Sequence, residues 1–80
     1  MAVKLTSEGM VVFAAWNGGT EVSRWAVLAG NDKSRLRTVK VAAKNGFETA
    51  MAVGARMRYV AVSALDVGGH QLGVSATIAT

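Results

Sequence analysis

Apolar residues along this chain come in short bursts, each cut off by glycine, asparagine or a polar cluster at fairly regular intervals. The run Met10-Val11-Val12-Phe13-Ala14-Ala15-Trp16 is rich in β-formers and stops at Asn17-Gly18-Gly19, residues that accept positive φ cheaply and so mark a turn. In Glu21 to Ala29, Trp25, Val27 and Ala29 fall on one parity and Arg24 on the other, the period of a half-buried strand. Ser34 to Lys44 is less regular and ends at the tight-turn pair Asn45-Gly46. Phe47 to Val53 alternates and ends at Gly54; Arg58 to Asp66 carries Tyr59, Val60, Val62 and Leu65 and ends at Gly68-Gly69. From Gln71 to Thr80, β-branched residues again recur at a spacing of two.

Helix competes only over Val39 to Lys44 and Glu48 to Val53, both rich in alanine. Those stretches are short, lack N-cap signals and are bounded by glycine, so strand wins. Six to seven short strands separated by turns predict a sandwich or small barrel spanning residues 1–80 as one domain. No proline occurs, so protection of sheet edges falls to Lys4, Arg35, Arg37 and Lys40. A weakly specified first strand leaves one edge for a second copy to pair with, giving a homodimer.

Composition narrows the function. An 80-residue chain with 51% apolar residues has enough apolar surface to offset the ordering entropy, so it is a folded domain rather than a disordered one. The chain has no cysteine, which excludes disulfide staples and thiolate metal sites. Met1 to Thr6 lacks the apolar run of a signal peptide, and no apolar stretch approaches the ~18 residues of a membrane helix. The net charge of +4 supplies nonspecific attraction to anions without defining a site.

Taken as an ordered series, Trp16-Asn17-Gly18-Gly19-Thr20-Glu21-Val22, Trp25-Ala26-Val27-Leu28-Ala29-Gly30, Gly46-Phe47-Glu48-Thr49, Tyr59-Val60-Ala61-Val62 through Leu65-Asp66 and Leu72-Gly73-Val74-Ser75 resemble fibronectin-type-III-like modules. They are most similar to the C-terminal module of bacterial arylsulfotransferase-type proteins, from Phe13 onward. The resemblance implies an all-β, two-sheet antiparallel Greek-key sandwich of fibronectin type III or immunoglobulin-like kind. It places Trp16 on the second strand, Trp25 on the third, and Val60, Val62 and Ala64 facing inward on the sixth. With Phe47, these are the expected core anchors, since each aromatic ring buries ~150–250 Å². Arg58 stands where such modules usually carry a tyrosine, which leaves Tyr59 on the outer face with Ala61, Ser63 and Leu65. The family's module follows a catalytic propeller, and no residue of the propeller's sulfuryl-transfer chemistry falls on the matched segments. The implied context is a secreted or cell-surface protein of which this module is part, with the cytoplasm left open.

Candidate chemistry is sparse. His70 is the single histidine and sits beside Gly68-Gly69, with Asp66 as the nearest acid; one imidazole and one carboxylate do not close a zinc shell. None of Ser7, Ser23, Ser34, Ser63 or Ser75 lies in a Gly-x-Ser-x-Gly elbow. Asn17-Gly18-Gly19-Thr20 is followed by a strand, whereas a phosphate loop needs a helix N-terminus, so a hairpin turn explains the glycines. The basic run Lys33 to Lys40, then Lys44, contains no aromatic, and strand parity separates Arg35 and Arg37 from Lys40. The chain is therefore expected to have no catalytic residues, cofactor or metal, and to act as a non-catalytic structural or interaction module. Tyr59, Arg35, Arg37 and Lys40 form its candidate interaction surface, toward another protein or a neighbouring domain. Two alternatives belong to other classes: a small basic β-barrel binding nucleic acid, and a carbohydrate-binding module using Trp16 or Trp25.

Overall fold

The structure is a computed structural model that describes residues 1–15, 21–46 and 48–80. Eight strands and no helix occur among the described residues: β1 (Ala2–Thr6), β2 (Gly9–Ala14), β3 (Arg24–Gly30), β4 (Arg37–Ala43), β5 (Thr49–Val53), β6 (Tyr59–Leu65), β7 (Gln71–Val74) and β8 (Ile78–Ala79). They form two antiparallel sheets, one in the order β1-β2-β5 and one in the order β4-β3-β6-β7, with β8 also pairing β6. The segment Gln71 to Thr80, with its β-branched residues at a spacing of two, forms two short strands along β6.

Alternation decides which face each strand buries. On β5, Thr49, Met51 and Val53 are buried while Ala50 and Ala52 are exposed, as expected for a strand with one wet face. Met10, Val12 and Ala14 of β2 join Met51 and Val53 and meet Trp25, Val27 and Ala29 of β3 and Val60, Val62 and Ala64 of β6. The anchors Trp25, Val60 and Val62 are thus interior, and Val27 and Val60 are fully excluded from water. Each such side chain contributes about 1.5–3 kcal/mol of burial free energy. The anchors Trp16 and Phe47 lie outside the described residues.

Two expectations need correction, and a third reading holds. The first strand is complete: β1 pairs β2 from Ala2↔Phe13 to Thr6↔Gly9. Its sequence signal is faint because only Val3 packs on the core while Lys4 and Leu5 are exposed; backbone pairing, not burial, holds it. The Asn45-Gly46 tight turn is present as read, a bend with Gly46 at φ +68°, and it lies between strands of different sheets. Likewise β2 and β3 sit in different sheets, so the expected hairpin at Asn17-Gly18-Gly19 does not connect paired strands, and residues 16–20 themselves lie outside the described residues.

Candidate interaction surfaces

Arg35 precedes β4 in the β3–β4 connection, and Arg37 opens that strand. Strand parity set Arg37 and Lys40 on opposite faces, and the structure overturns this. A β-bulge shifts the register between Val27 and Leu28, so that Lys40 pairs with Val27 and Arg37 with Ala29. Val27 and Ala29 share the core-facing side of β3, which brings Arg37 and Lys40 to one side of the edge strand. Bulges re-aim side chains in this way at sheet edges. Sequence periodicity carries no mark of the inserted residue, Val39, which packs against the core. Lys4 and Lys40 both occupy edge strands, β1 and β4, where charge discourages edge-to-edge pairing.

The outer face of β6 also differs from expectation. Tyr59 and Leu65 are half-buried, but Ala61 and Ser63 are buried. Ala26 opposes Ser63 across β3, and Leu28 opposes Ala61, so small side chains sink between larger neighbours. Val41 and Val74 flank this row on β4 and β7 and are 50% and 53% exposed. The result is an uncharged shallow floor with Arg24 near one end. The Ser63 hydroxyl donates to Gln71 Oε1 at 3.0 Å. The guanidinium of Arg58 lies 5.8 Å from the Tyr59 ring centroid, so a cation covers one face of that ring.

Comparison with protein-family models, with curated proteins and with solved structures finds no match to this chain.

Both alternative readings lose a support. The two sheets do not close into a barrel. Trp25 is 5% exposed, so its ring cannot lie flat against a sugar; Trp16 lies outside the described residues. Between the sheets, on the side of β1 and β7, a half-open slot of about 310 Å³ is walled by Met1, Ala14, Trp25, Val62, Ala64 and Ser75 among others. The buried Trp25 Nε1 has no hydrogen-bond partner among the described residues.

His70 lies in the β6–β7 connection and is largely exposed. Asp66 organises this turn: its Oδ1 accepts from the backbone N–H of Gly68 (2.9 Å) and of His70 (2.9 Å), and lies 3.3 Å from His70 Nδ1. Gly69, at φ +83°, donates its N–H to the Asp66 carbonyl. No group of three metal-ligating residues is assembled among the described residues. The His70 backbone N–H, aided by the His70 ring and the Gly68 N–H, holds the Asp66 carboxyl below the ordinary aspartate value of 3.8. A carboxyl depressed on folding contributes stability above its unfolded value and loses it as pH falls through the folded one. The turn is therefore expected to loosen below about pH 4. Protection of the Gly68 and His70 amides against exchange, taken relative to the unstructured rate at the same pH, should fall there, and Asp66→Ala should show little protection at any pH. An unchanged rate in Asp66→Ala would show that the carboxylate does not organise the turn.

The residues that sequence reasoning missed are Asn31, Arg56 and Arg58. Arg56 donates to the Thr6 carbonyl at 2.8 Å, and Asn31 Oδ1 accepts from the Arg58 N–H at 3.4 Å. Asn31 and Arg58 meet because β3 and β6 are antiparallel neighbours, which puts the end of one beside the start of the other, and Arg56 reaches the end of β1 from the β5–β6 connection. Only the strand order could have revealed them.

Proposed function

We propose that this chain is a non-catalytic, fibronectin-type-III-like Greek-key module that serves as an accessory domain and presents a docking surface to a neighbouring domain or protein. The observation that carries this reading is the strand distribution. First, second and fifth strands form one layer, and fourth, third, sixth and seventh form the other, so the chain changes sheet at β2→β3, β4→β5 and β5→β6. Immunoglobulin constant-type sandwiches share this division except that their fourth strand pairs in the first layer. Trp25 on the third strand and Val60, Val62 and Ala64 on the sixth occupy the core positions that the resemblance implies.

Architecture of this kind hosts many functions, so the strand distribution supports the module reading and the role itself is decided by assay. Its setting, on this reading, is a secreted or surface protein in which another domain supplies the chemistry. The purified chain, incubated with aryl sulfate donors and phenolic acceptors and with ester substrates, is expected to give no turnover above buffer. Turnover that a single point substitution abolishes would overturn the proposal.

A further inference from the structure

Charge is unevenly distributed along the strand direction. The β1–β2 turn, the β3–β4 connection and the β5–β6 connection lie at one end of the sandwich, tied together by the Arg56–Thr6 and Arg58–Asn31 hydrogen bonds. Thr80 adds to the cluster, donating its N–H to the Arg58 carbonyl and its hydroxyl to the Met57 carbonyl. Five of the nine cations of the chain are here: Lys33, Arg35, Arg37, Arg56 and Arg58. All are exposed, and only Glu8 and Asp32 offset them among the side chains. The far end carries Glu21, Glu48 and Asp66 beside Arg24 and Lys44.

Within the basic end, a hollow of about 390 Å³ is lined by Gly30, Asn31, Asp32, Arg35, Arg37 and Met57 with Ala29. The Asp32 carboxylate is already engaged, accepting from the Ser34 N–H at 3.0 Å and its hydroxyl at 2.8 Å. Lys33, Arg35 and Arg37 make no ion pair among the described residues. Like charges gathered in excess of their counter-charges oppose folding slightly and attract an anionic partner.

We infer that this basic end, centred on Arg35 and Arg37, docks an acidic polypeptide surface. The inference rests on the interaction-module reading and names the chemistry of its partner. Four of the five cations are arginines, whose planar forks match carboxylates in bidentate pairs and which are enriched at protein interfaces where lysine is depleted. Single-stranded nucleic acid would need open aromatic faces for stacking. The ring at this end, Tyr59, is half-buried and has Arg58 over it. Loops gathered at one end of a sandwich are also where such folds commonly carry binding residues.

The test is fluorescence anisotropy of the full chain with a labelled polyglutamate peptide, and with an oligothymidine of equal charge, across a salt series. Arg35→Glu/Arg37→Glu and Lys4→Glu/Arg24→Glu change the net charge equally, the second pair at exposed sites away from the basic end. Polyglutamate affinity is expected to fall about tenfold or more in the first double variant and less than about twofold in the second. Equal losses in the two variants would overturn the inference, because net charge alone would then explain binding. Tighter binding of oligothymidine, with a steep log–log salt slope, would also overturn it in favour of nucleic acid. If the glutamate pair fails to fold by circular dichroism, Arg35→Gln/Arg37→Gln takes its place with the same expected direction. Failure here leaves the non-catalytic reading intact, since that reading falls only on turnover.

Discussion

Replacing Gly9 with alanine is expected to destabilise the fold by about 2–4 kcal/mol, as overpacking against backbone and an unfavourable φ act together. Gly9 opens β2 at φ +154°, where an added Cβ would lie 2.1 Å from the Val53 carbonyl oxygen, 2.8 Å from Ala55 N and 2.9 Å from Gly54 C. All three are main-chain atoms, so no flexible side chain can swing aside. Relief requires β2 to part from the end of β5, the pair that joins the edge strand β1 to the rest of its sheet. A domain of this size has a total stability of roughly 4–12 kcal/mol, so the loss is a large share. Gly54→Ala is the control: a Cβ there meets nothing within 4 Å, and reduced freedom of the unfolded chain should leave it neutral or stabilised by up to about 1 kcal/mol. Urea midpoints of the two variants decide the matter. An alanine at position 9 tolerated within about 0.5 kcal/mol would show that the two backbones do not approach so closely.

Gly9 also illustrates what the sequence conveys and what it withholds. A glycine near the start of a strand reads as punctuation, and nothing local reveals that Val53 will press against it. Strand identity was legible where burial is one-sided: Met51 and Val53 on β5, Trp25, Val27 and Ala29 on β3, and Val60 and Val62 on β6 each follow a period of two. It was not legible on β1, which has little core contact to imprint a pattern. Pairing was legible least of all. The turn signal at Asn17-Gly18-Gly19 suggests a hairpin, yet its flanking strands belong to different sheets, as do those on either side of the tight turn at Asn45-Gly46, because the same residues serve crossings as readily as hairpins.

The candidate surface follows the same logic. Arg35 and Arg37 are visible as a basic run, but the bulge at Val39 that turns Lys40 to the side of Arg37 leaves no trace in composition. Arg58 joins them only through the antiparallel pairing of β3 with β6, and Arg56 through its bond to the Thr6 carbonyl. Conversely, the alternation that set Ala61 and Ser63 on an outer face was correct in parity and misleading about exposure. Both are small and lie on the central strand β6, with Leu28 opposite Ala61, and both are buried. Periodicity reports which way a side chain faces, and neighbour size decides how much water it meets.

Trp25 gives the second large effect, and two substitutions there separate its apolar body from its polar nitrogen. Trp25→Ala empties the centre of the β3 face and is expected to cost about 3–5 kcal/mol, the range for aromatic truncation in a core. A loss of that size from a total of roughly 4–12 kcal/mol should move the urea midpoint far below that of the parent chain. Trp25→Phe keeps most of the ring but removes Nε1, which is buried without a partner among the described residues. An unpaired buried N–H carries a desolvation penalty of about 1–3 kcal/mol. The smaller ring forfeits roughly 1 kcal/mol of burial at ~25 cal/mol per Å². The two terms nearly cancel, so Trp25→Phe should lie within about 1 kcal/mol of the parent chain while Trp25→Ala does not. Far-ultraviolet circular dichroism in urea, which does not depend on the lost indole, reads both. If phenylalanine costs as much as alanine, the nitrogen is hydrogen-bonded in the folded protein. The wall of the slot between β1 and β7 would then be held by that bond, and the energetic account of this core would have to be built on it rather than on ring packing.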